Sequence, residues 1–246
     1  MPATPAWPPP KSLPRLFVRE ALSASATVEL DQNQANYLGN VLRLGVGAEL
    51  LVFDGVSGEW LARIAQGGKK RMALSVERRM REPESIPDVW LAFAPVKRTQ
   101  TDWLVEKATE LGAARLFPVM TRRTIAERVR LDRLESIAIE AAEQCGRTRV
   151  PQIAEPLPVK NFIQELDPAR HLYFADESGG ESVASTFHEG PAAILVGPEG
   201  GFTDEERVLV RGSGASAISL GPRILRAETA ALAALAAFMA LAGDWR

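Results

Sequence analysis

The chain has 246 residues, 46% of them hydrophobic and 24% charged, with a formal net charge of −2. This composition excludes a wholly disordered or fibrous protein, and the length is sufficient for one large domain or two smaller ones with hydrophobic cores. A single cysteine excludes an intrachain disulfide, and with two histidines it is too small a set for a Cys/His zinc site, so we expect no metal.

The N-terminal third predicts a tail followed by a small β-barrel domain. Residues 1–14 contain six of the 17 prolines and lack the apolar run of a secretory signal, which predicts a disordered tail. Short β-rich runs separated by glycine-containing turns then fill residues 15–81, interrupted by one helical pattern at 32–44. The β-rich runs are residues 15–18, 26–30, 49–54, 59–65 and 71–79.

Charge is distributed unevenly between the two ends of the chain. Residues 63–81 carry seven Lys or Arg and one Glu, whereas residues 176–206 carry eight acids and no Lys or Arg. Arginine outnumbers lysine 23 to 6, and guanidinium groups suit phosphates and base edges. This charge distribution has two possible interpretations. It is either a solvated basic strand pair beside an acidic surface, or a basic module that binds an anionic polymer.

Beyond residue 81 the pattern predicts a second domain of a different class. Two prolines break the periodicity of residues 82–88 and predict a linker. Apolar strands then alternate with helical patterns through 89–246, which is typical of an α/β fold with a parallel sheet covered on both faces. The strands are 89–96, 114–120, 171–175, 192–196 and 216–220, and the clearest helices are 101–112, 131–146 and 227–242. The longest uncharged apolar stretch, 229–242, is too short to span a bilayer, so we expect a cytoplasmic protein.

Two strands of this domain run directly into glycine–proline turns. The sequence GPEGG (197–201) follows one strand and GPR (221–223) follows another, and Thr203 with Glu206 forms the pattern of a capping box that begins a helix. Ligands of open parallel sheets bind outside the carboxyl ends of strands, where glycine lets a ligand approach the backbone. The turns therefore either pack tightly between strand and helix or hold a ligand.

The residue types of these turns narrow the class of ligand. Neither the phosphate-binding motif G-x-x-x-x-G-K-[ST] nor the dinucleotide motif G-x-G-x-x-G occurs in the chain. Glu199 would repel a phosphate, whereas a positively charged ligand with an adenosine fits better. S-adenosylmethionine has a sulfonium group and no phosphate, and it meets this description.

Four segments together resemble the RsmE-type bacterial 16S rRNA (uracil-N3)-methyltransferases of the SPOUT superfamily. They are residues 106–112, 137–153, 197–206 and 219–232. Residues 15–18 and 41–55 are similar to that family's PUA-like RNA-binding barrel. The resemblance covers about residues 15–242. It implies a SPOUT domain with a trefoil knot over residues 89–246, preceded by a PUA-like domain over 15–81.

The resemblance also implies an activity, a cofactor and partners. The expected reaction is methylation of N3 of uridine 1498 in the 16S rRNA of the small ribosomal subunit, by a homodimer that uses S-adenosylmethionine. The loops after Ala175, Val196 and Leu220 would hold the cofactor. The residues implied to contact it are Glu177, Gly197, Gly200, Gly201, Leu220, Gly221, Ile224 and Leu225.

Arginines are the other candidate site residues. Arg226 follows the second turn and is the candidate catalytic group that faces the uracil oxygens; alternatively it forms a salt bridge with Glu199 or Glu228. The alanine-rich helix that begins at 227 packs either in the core or against a second subunit. Each candidate for RNA contact could instead be a solvated arginine: Arg15, Arg43, Arg123 and Arg147.

The chain departs from the family pattern at two places. Asn36 and Tyr37 stand where a histidine is usual, and Arg123-Thr124 replaces an Arg-Ser pair. The first change puts in doubt a role for histidine at that RNA-facing site. Two other functions stay open, namely a SPOUT methyltransferase acting on a tRNA ribose 2′-hydroxyl and a non-catalytic ribosome-assembly factor. The general base is unassigned.

Overall fold

The computed structural model describes residues 13–68, 71–126 and 128–246. The predicted disordered tail lies, up to residue 12, outside the described residues. Two compact units are present: one extends to Ser85 and includes Ala142–Val150, and the other comprises Ile86–Ala141 and Pro151–Arg246. Across the described ranges, no helix is both long enough and apolar enough to cross a membrane.

The first unit contains a β-sheet built from the predicted strand runs. Its strands are β1 (Arg15–Phe17), β2 (Thr27–Leu30), β3 (Glu49–Phe53), β4 (Glu59–Gln66) and β5 (Met72–Arg81). Their order is β1-β3-β4-β5-β2, with β1 parallel to β3 and the other neighbours antiparallel. Leu50, Val52 and Ile64 are fully buried in the core beneath this sheet, together with Leu38.

The helix predicted at 32–44 is shorter than expected and changes its hydrogen-bond pattern. It consists of α1 (Gln32–Asn36) and a π-helical turn (Tyr37–Val41). Asp31 begins α1 with a capping box. Arg43 adopts a φ of 57°, and a non-glycine residue in this left-handed region cannot continue a right-handed helix.

The second unit is an α/β fold with a parallel sheet, which confirms the predicted class. Its strands are β6 (Val89–Phe93), β7 (Arg115–Met120), β8 (Gln152–Ile153), β9 (Leu157–Pro158), β10 (His171–Ala175), β11 (Glu181–Ser182), β12 (Ala192–Val196) and β13 (Ser216–Ser219). The order is β11-β13-β10-β12-β6-β7-β8, with β9 beside β7, and these pairs are parallel. Strand β12 is buried along its whole length because it lies in the middle of the sheet.

Helices cover this sheet and begin and end largely where the sequence predicts. They are α2 (Arg98–Glu110), α3 (Leu131–Cys145), α4 (Val159–Glu165), α5 (Val183–Thr186), α6 (Asp204–Gly212) and α7 (Ala227–Leu241). The predicted capping box of Thr203 and Glu206 is present at the start of α6. Gly112, with a φ of 96°, terminates α2 as predicted. The short elements β8, β9, β11, α4 and α5 were not predicted individually.

An aromatic contact fixes the first glycine–proline turn against the sheet. Phe174 on β10 and Phe202, which follows the turn, are both fully buried. Their rings meet edge to face with centroids 5.0 Å apart. Because Phe202 lies one residue after GPEGG, this packing determines where the turn lies at the edge of the sheet.

Candidate functional site

A cleft of about 420 Å³ lies at the carboxyl edge of the parallel sheet. The loops that follow three neighbouring strands, β10, β12 and β13, line it. These loops meet because neighbouring parallel strands end at the same edge, where open α/β sheets bind their ligands.

All eight residues implied to contact the cofactor lie in the lining of this cleft. They come from three loops that are far apart in the sequence: Glu177, Gly197, Gly200, Gly201, Leu220, Gly221, Ile224 and Leu225. The lining also includes residues that the sequence did not single out, namely Asp176, Ser178, Gly179, Ala227 and Ala230. The structure brings the expected set together, and the contact of each residue with a cofactor stays a prediction.

Packing explains two of the three glycines in the GPEGG turn. A Cβ atom on Gly197 would lie 2.6 Å from Cε2 of the buried Phe202 ring. Gly201 has a φ of 68°, and a side chain there would collide with the Glu177 carboxylate. A Cβ atom on Gly200 would meet its nearest neighbour at 3.4 Å, an ordinary contact. Gly200 is exposed and its Cβ position faces the Arg123 side chain, so packing does not require a glycine there.

Arginines of α6 neutralise two acids at the start of the β10 loop. The carboxylate of Asp176 is fully buried and accepts hydrogen bonds from Arg211 Nη2 at 2.6 Å and from the Ser178 hydroxyl at 2.8 Å. Burial opposes ionisation of this carboxyl, but the hydrogen bonds outweigh it, so the pKa of Asp176 lies below its ordinary value. Glu177 pairs with Arg207. Sequence reasoning missed these arginines because they lie 30 and 35 positions from their partners.

The remaining charges of the cleft have both signs. Among the described lining residues, Glu199 and Arg223 are the ionisable side chains without an ion pair in the described part of the chain. Ile224 is 84% exposed although it is apolar, and Gly221 has a φ of 102° with open space where a Cβ would lie. The mouth of the cleft thus offers one carboxylate, one guanidinium and an apolar surface.

The candidate catalytic residue Arg226 lies at the N-cap of α7, between two residues that line the cleft. Its side chain is exposed and forms no ion pair within the described residues, so the alternative salt bridge to Glu199 or Glu228 is not present. Glu228 is instead 8% exposed, and its Oε2 has no hydrogen-bond partner in the described structure. An acid in the first turn of a helix was the only sequence feature that pointed to this buried carboxylate.

Two of the four arginines predicted to contact RNA are exposed. Arg43 projects from the turn after the π-helical segment and has no ion pair among the described residues. Arg123 donates from Nη1 to the backbone carbonyl of Gly200 at 2.7 Å and to that of Phe202 at 3.3 Å. Arg123 therefore supports the GPEGG turn, and RNA contact by either arginine stays a prediction.

The other two, Arg15 and Arg147, are only 8% and 7% exposed, which corrects the expectation that they present a surface to RNA. Arg15 Nε donates to Glu59 Oε1 at 2.6 Å, and its other nitrogens donate to backbone carbonyls of the segment 142–150. Arg147 lies 3.6 Å from Glu84. The Arg15 guanidinium satisfies buried acceptors inside the first unit, which indicates a structural role for this arginine.

Metal-binding geometry is not found at this cleft or elsewhere in residues 13–68, 71–126 and 128–246. No group of three or more His, Cys, Asp or Glu side chains there could hold a metal ion.

Comparison with known proteins identifies the class of this fold and cleft. Residues 82–239 match an RNA methyltransferase domain, and residues 30–77 match an RNA methyltransferase PUA domain. The fold and the cleft therefore define an RNA methyltransferase with an N-terminal PUA-type domain. The predicted fold class, a parallel α/β domain preceded by a PUA-like domain, is confirmed.

Individual relatives narrow this class. The ribosomal RNA small subunit methyltransferase E of Rickettsia conorii is 31% identical over 90% of this chain and 93% of its own. A crystal structure of the corresponding enzyme from Neisseria gonorrhoeae, bound to S-adenosyl methionine, has a TM-score of 0.89 and 31% identity over 95% of this chain and all of that one. A methyltransferase from Legionella pneumophila in complex with the same cofactor has a TM-score of 0.88 and 30% identity, with the same coverage. The chain belongs to the ribosomal RNA small subunit methyltransferase E family, as the sequence motifs indicated.

Proposed function

We propose that this chain transfers a methyl group from S-adenosylmethionine to N3 of uridine 1498 in the 16S rRNA of the small ribosomal subunit. The observation that carries the proposal is the convergence of three distant loops on one cleft that contains all the expected cofactor residues. Membership of the family supports the substrate, and the cofactor-bound crystal structures of two relatives support the methyl donor.

The described residues of the cleft fit this cofactor. Gly200 is exposed where it lines the cleft, and the unpaired carboxylate of Glu199 suits a ligand with a positive charge. Arg223 can attract the carboxylate of an amino-acid moiety, and the exposed side chain of Ile224 gives an apolar surface for an adenine. A phosphate, by contrast, would meet the negative charge of Glu199.

When bound, S-adenosylmethionine supplies an electrophilic methyl group. The chain must orient the uracil toward it and stabilise the negative charge that spreads over N3 and the flanking carbonyl oxygens as the N3 proton leaves to solvent. Arg226 is suited to this task, because its exposed guanidinium stands beside the cleft at the N-terminus of α7. The positive end of that helix dipole acts in the same direction.

Three further features belong to the proposal. The active form is a homodimer in which α7 contributes to the interface, the three loops of the cleft form a trefoil knot, and the site of action is the cytoplasm, where the ribosomal substrate is found. The apolar composition of α7 supports its place in a dimer interface. Of its 15 residues, 13 are alanine or larger apolar residues, and the exceptions are Glu228 and Thr229. A helix of this composition favours close packing on more than one side.

Methyl transfer from labelled S-adenosylmethionine to unmodified small subunits, followed by mapping of the methylated nucleotide, tests the proposal. We expect one product, 3-methyluridine at position 1498. Methylation of a ribose 2′-hydroxyl in tRNA would overturn the proposed activity on 16S rRNA. If calorimetry detected no binding of S-adenosylmethionine, the chain would instead be a non-catalytic assembly factor.

The role of Arg226 is tested in the same assay. Arg226→Ala should lower kcat about 10²- to 10³-fold, as expected for the loss of a group that stabilises a developing oxyanion. The dissociation constant for S-adenosylmethionine should change little. Arg246→Ala is the control, because Arg246 is exposed and pairs with Glu189 away from the cleft. Unchanged kcat in Arg226→Ala would remove this residue from the mechanism.

A further inference from the structure

A second cleft, of about 360 Å³, lies in the α/β unit outside the cofactor cleft. Its walls come from the residues that follow β6, from the first turns of α2 and from the loop that joins β7 to α3. Val96, Ile125, Val129 and Leu134 give it an apolar surface. Neither the family motifs nor the proposed reaction assigns a role to this cleft.

The two clefts open at the same edge of the sheet. Strand β6 is the direct neighbour of β12, with Phe93 opposite Val196, and both strands run toward this edge. The segment that follows β7 also connects them. Arg123 in this segment holds the carbonyl of Gly200 in the cofactor cleft, and Ile125, two residues later, lines the second cleft. A polymer bound across this edge can therefore occupy both clefts.

The second cleft carries a surplus of positive charge. Its described lining contains five cationic side chains and one acid, Asp102. Arg133 already donates to both oxygens of that acid, from Nε to Oδ1 at 3.1 Å and from Nη2 to Oδ2 at 2.7 Å, and Arg130 pairs with Asp132. The other three cations form no ion pair within the described residues: Lys97, Arg98 and Arg128. Three available cations around an apolar surface suit a ligand that has both an anionic backbone and flat bases.

We infer that this cleft binds a nucleotide of the RNA strand next to the methylated uridine. Its phosphates contact Lys97, Arg98 and Arg128, and its base lies against the apolar surface that includes Ile125 and Val129. The inference rests on the proposed function, since it assumes that the cofactor cleft receives a uridine from RNA. It adds a subsite that holds the strand while the target base is turned out of its stack.

The test compares charge-removing variants in methyl transfer to unmodified small subunits. Lys97→Ala and Arg128→Ala should each raise KM for the subunit about tenfold, with unchanged affinity for S-adenosylmethionine by calorimetry. In RNA binding, each variant should reduce the slope of log K against log salt by about 0.7 per lost phosphate contact, the value for single strands. Lys160→Ala is the matched control, because Lys160 is exposed on α4 and has no ion pair within the described residues.

The apolar part of the subsite is tested separately with Ile125→Ser. Ile125 is 69% exposed, so this change leaves the core intact. We expect weaker RNA binding with an unchanged slope of log K against log salt. The substitution removes a base contact but does not remove a charge. An RNA that lacks the base of the flanking nucleotide should bind the wild-type chain and Ile125→Ser equally well.

The outcomes separate this inference from the proposed function. If the wild-type chain does not methylate 16S rRNA, the proposed function fails, whatever the variants do. If the wild-type chain methylates its substrate but Lys97→Ala and Arg128→Ala match Lys160→Ala in KM and salt slope, the second cleft is not an RNA subsite. A variant that also loses affinity for S-adenosylmethionine would contradict the assignment of separate sites.

Discussion

Replacing Gly197 by alanine adds one methyl group at a point of the candidate cofactor cleft that a buried aromatic ring already fills. The new Cβ would lie 2.6 Å from Cε2 and 2.8 Å from Cδ2 of Phe202. That ring is fully buried and packs edge to face on Phe174, with centroids 5.0 Å apart, so it has little room to retreat. Inserting a methyl group into a core packed in this way costs about 1–3 kcal/mol.

The expected cost gives measurable changes in both stability and binding. For a chain of this size, each kcal/mol lowers Tm by roughly 2–4 °C, so Gly197→Ala should lower it by about 2–12 °C. Because the clash pushes the GPEGG turn away from the sheet, affinity for S-adenosylmethionine should fall about tenfold for each 1.4 kcal/mol transmitted to the turn. Thermal unfolding and calorimetric titration measure the two effects independently.

Gly212→Ala is the matched control for this substitution. Gly212 ends α6, an added Cβ there would have nothing within 4 Å, and the residue adopts an ordinary φ. The same chemical change should therefore stabilise the chain, by up to about 0.5–1 kcal/mol. The double variant Gly197→Ala/Phe202→Leu should lose less stability than the sum of the two single variants, because the smaller leucine side chain leaves room for the added methyl group. A Gly197→Ala chain with wild-type Tm and affinity would refute the steric argument.

Three further substitutions test other parts of the structure. Gly200→Ala should leave both Tm and the affinity for S-adenosylmethionine nearly unchanged, because the added methyl group would lie in ordinary contact with the Arg123 side chain, 3.4 Å from its Cδ; a large loss of affinity in calorimetry would show that a ligand needs this position free. Asp176→Asn should reduce the free energy of unfolding by about 1.5–3 kcal/mol at pH 7, since charge-assisted hydrogen bonds are lost. The pKa of Asp176 is lowered in the folded chain, so its stabilisation is complete above the unfolded value of about 3.9 and is lost as the pH falls through the folded value. Urea unfolding at pH 7 and pH 3 should therefore show a difference between the wild type and Asp176→Asn that shrinks at the lower pH. Arg15→Ala should cost about 1.5–3 kcal/mol, because the buried Glu59 loses its 2.6 Å partner and keeps the longer contact with Arg81 at 3.4 Å; a Tm equal to the wild type would contradict the structural role of this arginine.

The main elements of the fold could be predicted because their signals are local. Strand β12 is a short apolar run that ends at a glycine–proline turn, and α2 combines an apolar face with Gly112 as its stop. The capping box at Thr203 is defined by residues within four consecutive positions. Such features depend on neighbours in the sequence, so a single chain contains enough information to locate them.

The meeting of the eight candidate cofactor residues in one cleft could also be predicted, but for a different reason. The residues of the three loops were identified by resemblance to family motifs, and parallel strand order then explains why they meet. The spacing of the glycines alone was compatible with either tight packing or ligand binding. In the structure, packing excludes a side chain at Gly197 and Gly201. Packing and ligand binding make the same demand for glycine at these positions, so the sequence could not separate them.

The partners of individual side chains could not be predicted. Arg15 meets Glu59 across 44 positions and backbone carbonyls across more than 120, and Arg211 meets Asp176 across 35. An arginine has five donors in a rigid plane and will satisfy whichever acceptors the fold brings near it. Whether it faces RNA or the interior is decided by tertiary contacts, and these leave no periodic pattern in the sequence.

The pairing of arginines with acceptors inside the fold limits which cations can bind RNA. With a net charge of −2, the whole molecule exerts no general attraction on a polyanion. At physiological salt, charges act over about 8 Å, so attraction must come from local groups of cations that no carboxylate neutralises. The pairing of Arg207, Arg211 and Arg15 with acids removes these arginines from that role, whereas Lys97, Arg98 and Arg128 keep it within the described structure. The salt dependence of RNA binding should therefore report a small number of phosphate contacts, far below the 29 cationic residues of the chain.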